Sequence, residues 1–351
     1  MIKDEREFSV RSICANLAAA VVLVTTGCTS EADPDPGDTG EDEVVEKQFA
    51  VDGASMNYAE GPDNGPPLLL IHGQMTDWQT WNRALPTLTQ NYHVFAVDCF
   101  GHGGSDHVPE RYTARALSTA MSRFLTEVVG EPATVVGHSS GGLIAADLAA
   151  HSREKVRGVI LEDPPLFSSV LPRAEQTWNY VDLSTLAHEF LLSGEADFTA
   201  YYLEHTLLWT FFPPDLGEMI KQQALAYRRD HPDEPVVLEG APPEFNELLR
   251  ALSSYDPRFG EAFHDNTFHQ DFDHADTLSR ITVPTVLIHA NWSVDDNGVL
   301  LGAMSGDEAE QARSLLADVE FVKVDSGHSV HFEKTDEFLQ IVLDFEARLQ
   351  P

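Results

Sequence analysis

The chain has 351 residues, of which 42% are hydrophobic and 23% charged, and its formal net charge at pH 7 is -35. This length and apolar content suffice for one large catalytic or binding domain with an insertion. A surface with so large a negative charge repels polyanions and anionic lipid headgroups. We therefore expect no nucleic-acid partner.

The first 28 residues resemble an export leader. Residues 13–26 are an apolar run behind three basic residues, with the length of a signal-peptide core and too short for a comfortable membrane span. The run ends at Gly27-Cys28, which resembles a bacterial lipoprotein processing site and implies a lipid on Cys28 and attachment to a membrane. The alternatives are secretion without a lipid and an apolar N-terminal helix that is not exported.

Residues 29–47 form an acidic segment that contains Pro, Gly and Thr and almost no apolar side chains. Such a segment cannot bury enough surface to offset the entropy lost on ordering. We therefore predict a flexible acidic linker over residues 29–47 and a folded domain over residues 48–351.

The domain is predicted to open with a β-hairpin, because residues 49–51 and 56–59 flank a turn that contains Asp52-Gly53. Residues 67–72 are a continuous apolar run, which is typical of a strand covered on both faces. This strand ends at His72-Gly73.

Residues 133–143 have the pattern of a strand, a sharp turn and the start of a helix. The turn reads Gly137-His138-Ser139-Ser140-Gly141. It matches the G-x-S-x-G nucleophile elbow, in which glycines on both sides of a serine let the backbone turn tightly and hold the hydroxyl exposed. Ser139 is therefore the candidate nucleophile.

With this motif in its strand–turn–helix context, the chain resembles the α/β-hydrolase superfamily. The resemblance implies a mostly parallel central sheet with helices on both faces and an inserted helical lid. It also implies that the backbone N–H groups of Gln74 and Ser140 stabilise the reacting oxygen. Serine at the elbow argues against the haloalkane dehalogenases and epoxide hydrolases of the superfamily, which have aspartate there.

The lid is predicted at about residues 166–280, between a strand at residues 156–161 and the next strand at residues 285–289. The intervening residues have helical periodicity, and residues 207–212 are strongly apolar and aromatic. We expect this stretch to pack the lid and to line the pocket. An apolar acyl, aromatic or lactone substrate is therefore favoured over a sugar.

Residues 264–274 contain several His and Asp side chains, a composition that invites comparison with metal sites. Their spacing matches no helical ligand pair such as H-x-x-x-H, and the segment has the pattern of a loop. We predict no metal site and no organic cofactor.

A histidine near the C-terminus, His328, is the candidate general base. It follows a predicted strand at residues 319–324 and precedes a closing helix at residues 336–349. A Gly-His turn just before the final helix matches the base of the superfamily. We expect the nearby His331 to line the pocket or to lie at the surface.

Three aspartates compete for the acid that orients His328. Most members of the superfamily place the acid after the strand that here ends at His289, which favours Asp296 and, next to it, Asp295. Some relatives take the acid from the strand after the elbow, where Asp163 lies. Asp296 ranks slightly ahead of Asp163, and all three stay open.

These roles predict a serine hydrolase that cleaves an ester or lactone of an apolar or aromatic small molecule through an acyl-enzyme. Amidase and C–C bond hydrolase activities use the same residue types and stay open. The alternative is a non-catalytic small-molecule receptor or binding protein on the same fold.

Overall fold

The computed structural model describes residues 44–239, 241 and 243–350. Eight of its strands form one sheet in the order β1-β2-β4-β3-β5-β6-β7-β10, and β8 pairs with β9 in a separate hairpin. The strands are β1 Val45–Val51, β2 Ala54–Glu60, β3 Pro67–Ile71, β4 His93–Val97, β5 Ala133–His138, β6 Val156–Glu162, β7 Thr285–His289, β8 Ser293–Val294, β9 Leu300–Leu301 and β10 Val319–Lys323.

The α-helices of the described residues flank this sheet or belong to the segment between β6 and β7. They are α1 Leu85–Leu88, α2 Ala114–Phe124, α3 Ser140–His151, α4 Thr185–Ser193, α5 Phe198–His205, α6 Pro214–Asp230, α7 Pro243–Ala251, α8 Pro257–His264, α9 His274–Arg280, α10 Gly306–Leu315, α11 Val330–Glu333 and α12 Thr335–Leu349. None of the described helices has the length and apolar character needed to cross a membrane.

The sheet is antiparallel at one edge and parallel elsewhere. β1 pairs antiparallel with β2, and β2 pairs antiparallel with β4. Every pair from β4 through β3, β5, β6 and β7 to β10 is parallel. The predicted edge hairpin and the predicted mostly parallel α/β-hydrolase sheet are confirmed.

Both faces of the sheet are covered by apolar side chains. In β3, Leu69 and Ile71 belong to one hydrophobic cluster, whereas Leu68 and Leu70 belong to a second cluster on the opposite face. All five residues of the strand are buried. Successive side chains of a strand point to opposite faces, so the continuous apolar run is the signature of a strand buried on both sides.

The domain begins slightly earlier than the sequence indicates. β1 starts at Val45, so residues 45–47 of the predicted linker belong to the edge strand, where Lys47 forms an ion pair with Glu60 of β2. The first four residues of β1 are exposed, and all of them except Val45 are polar or charged. This composition is typical of a linker, so the sequence alone did not indicate a strand there. The predicted leader and residues 29–43 of the predicted linker lie outside the described residues.

The described residues between β6 and β7 form six α-helices, α4 to α9, together with shorter 3₁₀ and π segments. The lid predicted at about residues 166–280 falls within this segment. Strands β6 and β7 are adjacent and parallel although more than a hundred residues separate them along the chain. The intervening helices therefore lie outside the sheet.

Candidate active site

The turn between β5 and α3 holds Ser139 in an unusual backbone conformation, with φ 54° and ψ -122°. A Cβ atom on Gly137 would lie 2.3 Å from the carbonyl oxygen of Gly141, and one on Gly141 would lie 2.3 Å from the carbonyl oxygen of Ile71. Both approaches are too close for any side chain, so the elbow requires glycine at both positions. A strained residue at a sharp turn is a frequent feature of functional sites.

Ser139 also differs from its neighbours in exposure. It is partly exposed, whereas every other residue from 133 to 149 is buried. The N–H of Ser139 donates to the carbonyl of Glu162 at 2.9 Å, and the N–H of Asp163 donates to the carbonyl of Ile288 at 3.0 Å. These bonds continue the sheet beyond its strands and align the carboxyl ends of β5, β6 and β7, the edge where open α/β sheets bind ligands.

The structure pairs His328 with Asp163. His328 Nδ1 lies 2.7 Å from Asp163 Oδ2, and Asp163 Oδ1 accepts the N–H of Ala290 at 3.1 Å. The Asp163 side chain is 2% exposed, whereas the His328 side chain is 41% exposed. A carboxylate only accepts hydrogen bonds, so His328 carries its proton on Nδ1 and keeps the lone pair of Nε2 for another group.

The surroundings of His328 shift its pKa in two opposing directions. Burial lowers the pKa of the imidazole, but the hydrogen bond to Asp163 and the negative charges of Asp163, Glu162 and Glu333 raise it by more. The net pKa of His328 therefore lies above the ordinary value of 6.5. A histidine whose protonated form is stabilised in this way is suited to accept a proton during a reaction.

The structure does not bring Asp296 or Asp295 to His328. The residues after β7 form the small β8–β9 hairpin, and Asp296 lies exposed in its turn. The Asp295 carboxylate accepts the N–H groups of Asn297 and Val299 at 2.9 and 2.8 Å, so it holds the turn together. The ranking of Asp296 ahead of Asp163 is corrected because the extra residues of this loop fold onto themselves.

The loop that carries His328 is fixed to the elbow by His138. His138 Nε2 donates to the carbonyl oxygen of His328 at 3.1 Å, and the two rings have their centroids 4.6 Å apart. Because His138 directly precedes Ser139, this contact brings the loop of the candidate base to the elbow, although 189 positions separate His328 from Ser139 along the chain.

The loop after β3 packs against the elbow from the other side. A Cβ atom on Gly73 would lie 3.0 Å from Ser139 Cβ and 2.9 Å from His138 Nδ1. Gln74, the first predicted oxyanion donor, follows directly. Ser140, the second, is the first residue of α3, where backbone N–H groups have no partner within the helix and the helix dipole favours negative charge.

A buried pair behind the site was not anticipated from the sequence. His331, expected in the pocket or at the surface, is fully buried, and its Nδ1 lies 2.8 Å from Glu162, also fully buried. Its Nε2 lies 2.9 Å from the Thr80 hydroxyl. The available signal was Glu162 itself, a charged residue at the end of an apolar strand.

Two contacts join the lid to the loop that carries Gln74. The Gln74 side-chain amide donates to the Tyr255 hydroxyl at 2.8 Å. Arg250 of α7 forms a bidentate pair with Asp77, with distances of 2.6 and 2.7 Å. Arginine and carboxylate in this two-bond arrangement fix both position and orientation.

The His- and Asp-rich segment predicted as a loop is partly helical. His264 is the last residue of α8, and His274 is the first of α9. His274 Nε2 lies 3.3 Å from His269 Nδ1, and both residues are buried. Burial lowers the pKa of His269 to about 4, so this pair is neutral near pH 7.

A mostly parallel sheet with a serine elbow after β5, an aspartate after the adjacent strand β6 and its histidine partner after the edge strand β10 defines a protein of the α/β-hydrolase fold. The sequence agrees, since residues 68–341 match the family model described as "Alpha/beta hydrolase family". The chain belongs to this family.

Among curated proteins, the chain is 36% identical over 132 residues to a dihydrolipoyllysine-residue acetyltransferase component of the acetoin cleaving system from Cupriavidus necator. It is 27% identical over 121 residues to a soluble epoxide hydrolase from Corynebacterium sp.. These matches cover 37% and 34% of the chain but only 35% and 42% of the two relatives, respectively.

Solved structures resemble the chain over most of its length. A hydrolase from Pseudomonas aeruginosa has a TM-score of 0.62 and 23% identity, with 88% of this chain and 99% of that one covered. The enol-lactonase from Burkholderia xenovorans has a TM-score of 0.59 and 20% identity, with 86% and 100% covered. At this identity the likeness concerns the fold.

Proposed function

We propose that the protein is a serine hydrolase that cleaves an ester or lactone of an apolar or aromatic small molecule through an acyl-enzyme. The observation that carries the proposal is the 2.7 Å hydrogen bond between His328 and buried Asp163, in a loop that His138 joins to the elbow of the partly exposed Ser139. Serine in the elbow distinguishes this chain from relatives that use an aspartate nucleophile.

The reaction begins when His328 Nε2 removes the proton of the Ser139 hydroxyl as the serine oxygen attacks the acyl carbonyl. The carbonyl oxygen becomes an oxyanion, which the backbone N–H groups of Gln74 and Ser140 stabilise. Asp163 stabilises the imidazolium through Nδ1. His328 then gives its proton to the leaving alkoxide, which departs as an alcohol and leaves the acyl group on Ser139.

Hydrolysis of the acyl-enzyme repeats these steps with water. His328 removes a proton from water as the water oxygen attacks the acyl carbon, and the same proton returns to Ser139 when the carboxylic acid leaves. The net change is addition of one water across the acyl–oxygen bond. The residues of this chain supply every proton transfer in the scheme.

The lid supports the apolar substrate class. Tyr255 contacts Gln74, and its ring lies 5.7 Å from Phe198 and 6.3 Å from Phe259 by centroid distance. Aromatic side chains therefore lie next to the oxyanion loop. Pockets with apolar walls and a few polar groups select apolar ligands and orient them through the polar groups.

The test is turnover of p-nitrophenyl esters of increasing acyl length by the wild-type protein and by Ser139→Ala. We expect turnover that increases with acyl length before a limit and that falls at least about 1,000-fold in the variant. Equal turnover by both proteins would contradict the proposal. Saturable ligand binding without turnover and without fluorophosphonate labelling would instead support a receptor.

We also propose that the protein is exported and anchored through a lipid on Cys28, on the basis of the leader pattern in residues 13–28. In a bacterial host, we expect the wild-type protein in the membrane fraction and Cys28→Ser in the soluble fraction or with an unprocessed leader. A Cys28→Ser protein of unchanged size in the membrane fraction would contradict the lipid anchor.

A further inference from the structure

Three side chains able to bind a metal lie together on the surface of the lid. His188 belongs to α4, and Glu261 and His264 belong to α8. One ligand atom from each lies within 4.8 Å of the other two. All three residues are partly exposed, so an ion can reach them from solvent.

The helix geometry explains why these ligands meet. Glu261 and His264 are three residues apart and therefore share one face of α8. α4 packs closely on this helix, since a Cβ atom on Gly260 would lie 2.6 Å from the Ala187 Cβ. The residues that follow this contact in each helix, His188 and Glu261, are thereby brought face to face.

The distances suit a small divalent ion. His188 Nδ1 lies 3.1 and 2.9 Å from the two carboxylate oxygens of Glu261. In a tetrahedral zinc site with bonds of about 2.1 Å, two ligand atoms lie about 3.4 Å apart. The His188–Glu261 distances are slightly shorter than this value because the two side chains are hydrogen-bonded. The remaining ligand atom, within 4.8 Å of the others, has to move by at most about 1.4 Å to reach this spacing.

The two imidazole rings lie against each other. Their rings are stacked, with centroids 4.0 Å apart and planes 9° apart, and Tyr180 stacks on His264 at 5.1 Å. The in-plane lone pairs of parallel rings do not converge, so metal binding requires the His264 ring to tilt out of this stack toward His188 and Glu261.

We propose that the lid binds a divalent transition metal ion of the zinc type through His188, Glu261 and His264, with water as the fourth ligand. Two nitrogen ligands and one carboxylate form a donor set that suits zinc. The strongly negative chain, with its formal net charge of -35, attracts cations to this surface. A second cluster of the same residue types, His138, Glu162 and His331, is fully buried. Its His138 holds the loop of His328 at the elbow instead.

Metal binding at this place ties α4 to α8 next to the oxyanion loop. Gly260, which precedes Glu261, would have its Cβ 3.0 Å from the Tyr255 hydroxyl and 3.6 Å from the Gln74 side-chain amide. The bound ion therefore stabilises the part of the lid that touches Gln74. This role does not depend on the proposed hydrolase activity.

The test is calorimetric titration of the metal-free full chain with zinc chloride, together with the visible spectrum of the cobalt(II) form. We expect one ion per chain, a tetrahedral cobalt spectrum and a rise in Tm on zinc addition. His188→Asn and His264→Asn should each weaken zinc binding at least about 10-fold and remove the cobalt spectrum.

His231→Asn is the matched control. His231 Nδ1 lies 3.5 Å from Glu234 on the same lid, an exposed His–Glu pair outside the three-ligand cluster. This variant should bind zinc as the wild type does. Glu261→Gln keeps a hydrogen-bond acceptor for His188 and the helix intact, so weakened zinc binding by this folded variant separates ligand loss from misfolding.

Two results would overturn the proposal. One is the absence of saturable zinc binding to the folded wild-type chain. The other is zinc binding that all of the cluster variants retain at the wild-type affinity, which would assign the ion to other acidic or histidine side chains.

Discussion

Replacement of Asp163 by Asn tests the arrangement of the site most sharply, because the carboxylate accepts two donors at once. Its Oδ1 accepts the Ala290 N–H and its Oδ2 accepts His328 Nδ1–H. An asparagine has one acceptor oxygen. If this oxygen stays with Ala290, the side-chain NH₂ faces His328 and forces the imidazole proton onto Nε2.

In that tautomer, His328 cannot accept the proton of Ser139. We therefore expect kcat of Asp163→Asn to fall about 10,000-fold, which corresponds to about 5.5 kcal/mol of transition-state stabilisation. KM should stay within about twofold, since the Asp163 side chain is buried and acts through His328. The free energy of unfolding should fall by only about 1 kcal/mol, because a charge-assisted hydrogen bond to His328 is replaced by a neutral one.

The assay is steady-state hydrolysis of a p-nitrophenyl ester, with urea unfolding to establish that the variant is folded. Asp296→Asn is the control, because this aspartate is exposed in the β8–β9 turn, and its kcat should stay within about twofold of wild type. A folded Asp163→Asn protein with kcat within tenfold of wild type would refute the assignment. So would a large loss in Asp296→Asn alone.

Three further predictions concern the base, the lid and the elbow. Because the pKa of His328 lies above 6.5 and the base must be neutral, kcat/KM should fall on acidification through a pKa above 6.5; a midpoint below 6.5 would contradict this. Arg250→Ala leaves the buried Asp77 carboxylate without its cation and should lower the free energy of unfolding in urea by about 3 kcal/mol, whereas the exposed Arg280→Ala should change it little. Gly141→Ala places a Cβ 2.3 Å from a backbone oxygen and should destabilise the protein by at least about 1–3 kcal/mol; a thermal melt unchanged from wild type would be inconsistent with the elbow geometry.

Local motifs singled out the candidate residues whose placement depends on local geometry. Ser139 could be recognised because its glycine neighbours are required by close backbone contacts within a few residues and with β3. His328 could be recognised from its turn before the closing helix. The fold followed from continuous apolar strands such as β3, whose pattern reflects burial on both faces.

The remaining features depend on contacts between distant segments. Asp163 and Asp296 both follow strands that end at the same edge of the sheet, so spacing alone could not rank them. The structure distinguishes them, because the β8–β9 hairpin keeps Asp296 in its own turn while Asp163 is hydrogen-bonded to His328. The proposed metal ligands come from two helices, with His188 and Glu261 73 positions apart, and no spacing rule connects them.

The most direct test of the proposed chemistry is to locate the covalent adduct of a fluorophosphonate by peptide mass spectrometry. The proposed mechanism predicts a single adduct on Ser139, formed rapidly in the wild type and at least about 1,000-fold more slowly in His328→Ala, which lacks the base. An adduct on another residue, or labelling of Ser139 at an equal rate in His328→Ala, would contradict it.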